Sequence, residues 1–161
     1  LRARGVRLRW LVVGPPDPAK SDGVDEASRG DAERDGIAFL GFRNDMPVIY
    51  AASDFFVLAS HREGFPRAAM EAAAMGLPIV ATDVRGCRQV VQHGVTGLLV
   101  PARDPDALVQ AISTLTAASP DRQATMRESA RAKARREFDQ RQVIETTLSV
   151  YQRLLAEHAC A

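Results

Sequence analysis

The feature that most constrains this chain is the alternation of short apolar runs with segments of helical spacing. Each run is four to six residues long and is followed closely by Gly, Pro or a polar residue, as is typical of buried strands. Strands that alternate with helices in this way form parallel βαβ units and an open, doubly wound sheet. We therefore predict an α/β fold with strands at residues 8–13, 37–40, 55–58, 78–81 and 97–100.

Helix signals fall between these strands and after the last one. Asp104 and Ser119-Pro120 are typical of helix starts, and Gly76 is typical of a helix end. Pro66 stands where a helix can begin, because the missing N–H of proline costs nothing in the first turn. The predicted helices cover residues 24–34, 46–52, 68–75, 87–92, 104–117, 119–138 and most of 139–161.

Composition limits the class of protein. The chain is 46% apolar and 25% charged, with a formal net charge of +1, which is typical of a globular domain and excludes disordered, collagenous and coiled-coil classes. The balanced charge gives no reason to expect a nucleic-acid partner, and no apolar run approaches the ~18 residues that span a bilayer. Cys87 and Cys160 are too few for a disulfide scaffold or a zinc site. We predict a cytoplasmic protein.

Three loops follow the predicted strands at the carboxyl edge of the sheet, where ligands of such folds bind. They cover residues 41–45, 60–66 and 82–86. The loop 60–66 precedes a helix, so backbone N–H groups and a positive helix end are available there to a phosphate or a sugar oxygen. We expect the ligand to lie against this loop.

Two carboxylates accompany that loop. Glu63 lies within it, and Glu71 lies about a turn and a half into the following helix, flanked by alanines. Carboxylates accept charge-assisted hydrogen bonds from neighbouring hydroxyl groups, such as those of a ribose or a hexose. The alternative is structural: Glu63 caps the helix, and Glu71 forms a surface ion pair with Arg67. Spacing by itself leaves both interpretations open.

A longer ordered motif surrounds the two glutamates. Residues 60–83 contain the block Glu63-Gly64-Phe65-Pro66, then Glu71, then Gly76-Leu77-Pro78. This segment resembles the signature of family 4 (group 1) glycosyltransferases of the GT-B type. Further stretches match that family in order and spacing, so that the resemblance runs from about residue 8 to about residue 115; they are 11–14, 39–42, 52–58, 94–101 and 104–108.

The resemblance implies a Rossmann-like, doubly wound parallel sheet that forms the carboxy-terminal, nucleotide-sugar-binding half of a retaining glycosyltransferase. The donor would be a UDP- or GDP-linked sugar, and the acceptor a sugar or a lipid-linked glycan. Neither a cofactor nor a divalent metal is implied, because positive side chains and a helix dipole stabilise the departing diphosphate. Glu63 would be the catalytic carboxylate that holds hydroxyls of the donor sugar, without acting as a nucleophile. The resemblance assigns sugar and phosphate contacts to Gly64, Phe65 and Pro66, the ribose hydroxyls to Glu71, and the border of the base to Phe42 and Arg43.

The sequence departs from the family pattern in three places. Residues 84–89 read Val-Arg-Gly-Cys-Arg-Gln where the family has Gly-Gly and a Glu three residues on. In the family a strand and helix precede the strand at Leu11 and carry a Gly-Arg and a Lys that clamp the diphosphate; these and the amino-terminal domain are not found in the sequence. Because that strand lies between the Leu11 and Phe55 strands, we expect two unpaired inner edges. We expect a fragment that does not turn over alone.

We divide the chain into a partial nucleotide-sugar-binding domain, 1–138, and a carboxy-terminal helix, 139–161. The apolar stripe of that helix is expected to pack toward the amino-terminal domain of the family. Two other functions stay open: a nucleotide-sugar epimerase of the GT-B type, or a non-catalytic remnant of a transferase. The predicted helix 119–138 has a basic face that comprises Arg127, Arg131, Arg135 and Arg136. This face is either solvated or a contact for acidic lipid head groups at the inner membrane surface.

Three further side chains have structural interpretations. We expect His61 to be a solvated loop residue, with a contact to the sugar as the alternative. His93 lies at a predicted helix end, where it would meet the negative end of the dipole. Cys87 is expected to be a small buried hydrophobe rather than a reactive thiol.

Overall fold

The computed structural model describes residues 1, 5–15 and 26–159. The chain divides into two compact units, Leu1–Ala52 and Ser53–Ala161. The start of the helix predicted at residue 24 and the thiol of Cys160 lie outside the described residues. The predicted boundary between residues 138 and 139 concerns packing on another domain and stays a prediction.

The fold is α/β with parallel strands, as predicted. The helices and strands of the described residues lie close to their predicted positions. In chain order they are β1 Trp10–Val12, α1 Glu26–Arg34, β2 Ile37–Phe39, α2 Met46–Ala51, β3 Phe56–Leu58, α3 Arg67–Ala74, β4 Ile79–Thr82, α4 Arg85–Val90, β5 Gly97–Val100, α5 Pro105–Thr116, α6 Pro120–Glu137 and α7 Gln140–Ala159.

The first unit contains a pair of parallel strands. β1 and β2 are in register with Trp10 opposite Ile37. The pairing continues beyond the strands, since Gly14 N donates a hydrogen bond to Gly41 O at 2.9 Å. This hydrogen bond fixes the start of the loop 41–45, for which the resemblance implies a place beside the base.

The second unit contains a three-stranded parallel sheet in the order β3-β4-β5. β4 is central, and all of its residues are buried. A Cβ on Gly97 of β5 would lie 2.0 Å from Ile79 O of β4, so the two strands can approach this closely only with glycine at residue 97. α3 packs against β3, β4 and α6, and α5 packs against β4 and β5.

The described strands form two sheets and not one continuous sheet. Among these strands, β1 is paired only with β2, and β3 at its end of the second sheet only with β4. The unpaired inner edges that we expect for the strands at Leu11 and Phe55 stay a prediction.

Most helix ends lie where local chemistry predicts them. Asp104 Oδ1 accepts a hydrogen bond from a backbone N–H in the first turn of α5 at 2.9 Å, and Ser119 Oγ accepts one from α6 at 3.3 Å. Gly76 follows α3 with a φ of +78°, a conformation that favours glycine. Pro66 differs from its prediction: its ψ of 103° is extended, so it is the N-cap residue of α3 and not part of the first turn.

Two helices differ from expectation. α4 begins at Arg85 and ends at Val90, so it lies two residues earlier than predicted and His93 is outside it. The apolar stripe of α7 is exposed within the described structure, and its expected packing on another domain stays a prediction. The exposed apolar side chains of α7 are Val143, Ile144, Leu148, Val150, Tyr151, Leu154 and Leu155.

Candidate functional site

The loop from Ser60 to Pro66 connects β3 to α3 at the carboxyl edge of the three-stranded sheet. Glu63 is half-buried in this loop, and Phe65 is 46% exposed. Pro66 is buried and is the N-cap residue of α3, which has no side-chain cap hydrogen bond. The interpretation of Glu63 as the helix cap is therefore wrong, and its carboxylate is left for another contact.

The middle of this loop is in tight contact with the first turn of α4. A Cβ added to Gly86 would lie 2.6 Å from Gly64 O and 2.7 Å from Glu63 O. Both are backbone atoms, so a side chain at residue 86 would require the loop or the helix to move. Gly86 is not among the predicted contact residues, although it ends the predicted loop 82–86 and lies in the segment 84–89 that departs from the family pattern. A signal was present, because a glycine inside a helix indicates a packing or functional reason.

The beginning of the loop is attached to the end of β4. Thr82 is buried, and its hydroxyl donates a hydrogen bond to the carbonyl oxygen of Ser60. Cys87, close to Thr82, is fully buried. Burial, and then the negative charge of Glu63, raise the pKa of the Cys87 thiol. Cys87 is thus the buried, unreactive side chain that we expected.

The end of the loop rests on a residue from the carboxy-terminal part of the unit. The rings of Phe65 and Phe138 meet edge to face, with centroids 5.8 Å apart and an interplanar angle of 82°. Phe138 is the C-cap residue of α6. The loop is therefore held at its beginning by Thr82, in its middle by Gly86 and at its end by Phe138.

Charged side chains surround this loop in the sequence and are exposed. Glu71 is exposed on α3, and so are the guanidinium groups of Arg62, Arg67 and Arg85. Such a mixture of carboxylates and guanidinium groups suits a ligand that carries both hydroxyl and phosphate groups. The alternative pairing of Glu71 with Arg67 stays a prediction.

The two candidates for the base belong to the first compact unit. Phe42 is 77% exposed, and Arg43 forms an ion pair with Asp45, with 2.6 Å between Nη2 and Oδ2. This hydrogen-bonded pair raises the pKa of Arg43 and lowers the pKa of the Asp45 carboxyl. The structure thus brings together the candidates on the loop 60–66 and α3, while Phe42 and Arg43 lie in the other unit and keep their role as a prediction.

The two histidines considered above have different surroundings. His61 is exposed, as expected of a solvated loop residue. His93 Nδ1 accepts a hydrogen bond from Leu99 N at 3.0 Å. Because α4 ends at Val90, the expected contact of His93 with a helix dipole is wrong. His93 instead links the turn after α4 to β5.

The basic face of α6 is partly used for packing within its own unit. Arg127 donates to Asp54 O at 2.8 Å, and Arg131 donates to Met75 O at 3.3 Å. None of the helices in the described part of the chain is both long and apolar enough to cross a membrane. Among the same residues, no group of three or more His, Cys, Asp and Glu side chains could hold a metal ion.

Comparison with known proteins assigns the family. Residues 1–118 match the family described as "Glycosyl transferases group 1". The chain belongs to the group 1 glycosyltransferases. It is 36% identical over 166 residues to a D-inositol 3-phosphate glycosyltransferase of Geodermatophilus obscurus, covering 96% of the chain and 34% of the relative. It is also 39% identical over 80 residues to a UDP-Gal:alpha-D-GlcNAc-diphosphoundecaprenol alpha-1,3-galactosyltransferase of Escherichia coli. That match covers 50% of the chain and 21% of the relative.

Solved structures of similar proteins agree with this family. A sucrose-phosphate synthase from Thermosynechococcus elongatus is 30% identical with a TM-score of 0.80, over 91% of this group 1 chain and 38% of that protein. The Anabaena protein Alr3699/HepE, in complex with UDP, is 31% identical with a TM-score of 0.77. That match covers 88% of this chain and 41% of the Anabaena protein. These matches confirm the GT-B type of fold. The chain spans 21% to 41% of the length of the four relatives named here.

Proposed function

We propose that this chain binds the nucleotide-diphosphate sugar of a retaining glycosyltransferase, which transfers the sugar to a sugar or lipid-linked glycan acceptor. The observation that carries the proposal is the loop 60–66, which is held at three points at the carboxyl edge of the sheet with Glu63 half-buried in it. The Escherichia coli relative is named for a UDP-galactose donor, and the Anabaena structure contains UDP. The Escherichia coli and Geodermatophilus obscurus relatives are both named as transferases, which favours transfer over epimerisation.

The two glutamates receive separate parts of the donor in this proposal. Glu63 accepts hydrogen bonds from hydroxyls of the sugar, and partial burial strengthens such charge-assisted bonds by limiting competition from water. Glu71, on α3, accepts from the two ribose hydroxyls. Phe42 and Arg43 border the base.

The phosphates would be held by the start of α3. The N-cap residue Pro66 makes no side-chain cap hydrogen bond, and the positive end of the helix suits an anion. Pro66 has no N–H, and its carbonyl oxygen accepts from Met70 N at 3.1 Å. We therefore assign backbone donation to Gly64 and Phe65 and a shaping role to Pro66.

Negative charge develops on the departing diphosphate as the sugar is transferred. We propose that the positive end of α3 and the exposed guanidinium groups of Arg62, Arg67 and Arg85 stabilise this charge. Charge placed in advance where it is needed lowers the barrier without any reorganisation during the reaction. In this proposal the donor is bound without a divalent metal.

The acceptor is proposed from the relatives' names. The Escherichia coli relative is named for a sugar on diphosphoundecaprenol, and so is a Campylobacter jejuni relative that is 35% identical over 79 residues, covering 49% of the chain and 21% of that protein. The Geodermatophilus obscurus relative is named for D-inositol 3-phosphate. A lipid-linked acceptor would bring the protein to the cytoplasmic surface of the inner membrane.

Calorimetric titration of the purified chain with UDP, GDP and ADP, in the presence of EDTA, tests the donor site. We expect one of the nucleotides to bind better than the others. Glu71→Ala should weaken its binding by about 1–3 kcal/mol, because two ribose hydroxyls lose a charged acceptor. Glu145→Ala is the matched control, since Glu145 is an exposed glutamate of α7 with no role in the proposed site.

Three results would contradict parts of this proposal. A folded chain that binds no nucleotide contradicts its role in donor binding, and binding that requires added magnesium contradicts the metal-free site. Equal affinity of the wild type and Glu71→Ala removes Glu71 from the ribose site. For the intact enzyme, proton NMR of the product reports the anomeric configuration, which must match that of the donor if the enzyme is retaining.

A further inference from the structure

We propose that Thr82, Gly86 and Phe138 are positioning residues, which hold the loop 60–66 in the shape that presents Glu63 to the donor sugar. This inference rests on the proposed function of that loop. None of the three residues belongs to the loop or to the donor contacts proposed above. Each is attached to a different part of the loop.

The contact at Gly86 fixes the middle of the loop. An added Cβ would meet Gly64 O at 2.6 Å and Glu63 O at 2.7 Å, which is closer than such atoms approach in proteins. α4 cannot easily withdraw, because Cys87 and Val90 of this short helix are fully buried. Gly64, in contrast, is exposed. A methyl group at residue 86 would therefore displace the loop and, with it, the backbone of Glu63.

The contact at Thr82 fixes the beginning of the loop. The hydroxyl of Thr82 donates to Ser60 O, and Thr82 is itself held in the central strand of the sheet. Valine has nearly the same shape as threonine but no hydroxyl, so Thr82→Val would leave the Ser60 carbonyl without this donor. Serine retains the hydroxyl, so Thr82→Ser should restore the attachment.

The contact at Phe138 fixes the end of the loop. Its ring lies edge to face against Phe65, the residue directly before the N-cap of α3. The Lys133 ammonium lies over the Phe138 ring, 5.8 Å from the ring centroid. A loop held at only one end could rotate about that end, whereas three attachments along seven residues restrict the backbone at Glu63.

A displaced loop should affect the sugar more than the nucleotide. In the proposed site the sugar depends on Glu63 in the loop, whereas the ribose depends on Glu71 on α3. We therefore expect Gly86→Ala and Thr82→Val to weaken the binding of UDP-galactose by about tenfold, the effect of losing hydrogen bonds to one charged group. The loss for UDP should be smaller. A general loss of folded protein would lower both affinities by the same factor.

The experiment combines calorimetry with hydrogen–deuterium exchange of the free protein. Gly86→Ala and Thr82→Val should raise amide exchange in residues 60–66, and Thr82→Ser should restore both exchange and the affinity for UDP-galactose. Gly30→Ala is the matched control, because Gly30 is also a helical glycine but an added Cβ would only touch Arg34 Nη1 at 3.7 Å.

Two outcomes overturn the inference: unchanged exchange of the loop in both variants, or an equal fall in the two affinities. If the wild type binds neither UDP nor UDP-galactose, the proposed donor site fails. Hydrogen–deuterium exchange of the same samples then still decides whether Thr82 and Gly86 hold the loop. The two failures are therefore distinguishable.

Discussion

At two places in the second unit of this chain, a glycine allows two stretches of backbone to approach each other closely, with different consequences. At Gly97 an added Cβ would meet Ile79 O at 2.0 Å, and at Gly86 it would meet Gly64 O at 2.6 Å. The first contact joins two strands of the buried sheet, so we expect a side chain there to destabilise the folded state. The second joins a short helix to a partly exposed loop, so we expect a side chain there to displace the loop of the candidate site.

The buried thiol of Cys87 gives a prediction about pH. Its pKa is raised from the ordinary value of 9.0, first by burial and then by the charge of Glu63. The folded state therefore keeps this proton to higher pH than the unfolded state does. The resulting stability is complete below about pH 9 and is lost as pH rises through the folded pKa. We expect the free energy of unfolding to fall above about pH 9, and to fall less steeply in Cys87→Ala.

Urea unfolding between about pH 7.5 and pH 10 measures this difference. Lysine and tyrosine side chains also titrate in that range, so the comparison of the two proteins isolates Cys87. Parallel pH profiles for wild type and Cys87→Ala would mean that the thiol keeps its ordinary pKa in the folded chain.

At the scale of helices and strands, the N-cap of α5 provides a clean test. Asp104 Oδ1 accepts from Ala107 N at 2.9 Å. Asp104→Ala should lower the free energy of unfolding by about 1 kcal/mol, because this N–H loses its partner. Asp104→Asn keeps a carbonyl oxygen in the same place and should differ little from the wild type. Thermal and urea unfolding check both variants, and equal losses in the two would indicate that the charge rather than the cap is responsible.

The elements that sequence predicted well are those with local causes. The Asp104 and Ser119 caps, and the left-handed glycine at residue 76, act within one turn of the helix they limit. Short apolar runs likewise placed the strands. Sequence misplaced α4, whose start at Arg85 follows the extended conformation of Val84.

The candidate site was predictable in part for the same reason. Its candidate residues from Glu63 to Glu71 lie within one contiguous motif, so the family resemblance could name them from the sequence, and their roles stay predictions. Their attachments are not local: Thr82 meets Ser60 across 22 positions of sequence, and Phe138 meets Phe65 from a distant helix. No periodicity or spacing rule connects such pairs, and only the folded chain shows them.

At the scale of the whole molecule, the exposed apolar face of α7 should govern solution behaviour. Large exposed apolar patches promote association. We expect the double variant Leu148→Gln, Leu155→Gln to scatter less light than the wild type at equal concentration. Its free energy of unfolding should change by less than about 0.5 kcal/mol per site, because both side chains are exposed.

A buried leucine serves as the comparison for this prediction. Leu115 of α5 is buried, and Leu115→Ala should lower the free energy of unfolding by about 2–5 kcal/mol. Light scattering and urea unfolding of the wild type, the α7 double variant and Leu115→Ala distinguish the effect of an exposed leucine from that of a buried one. If the α7 double variant unfolds as easily as Leu115→Ala, the helix face is covered in solution.

The division of the chain after Ala52 has a consequence for how such genes can diversify. Every described strand pair lies within one unit, β1 with β2 before the division and β3, β4 and β5 after it. A recombination breakpoint between residues 52 and 53 would therefore exchange whole units between homologous genes without separating paired strands. The loop 60–66 would be inherited together with Thr82, Gly86 and Phe138, while residues 41–45 could come from another parent.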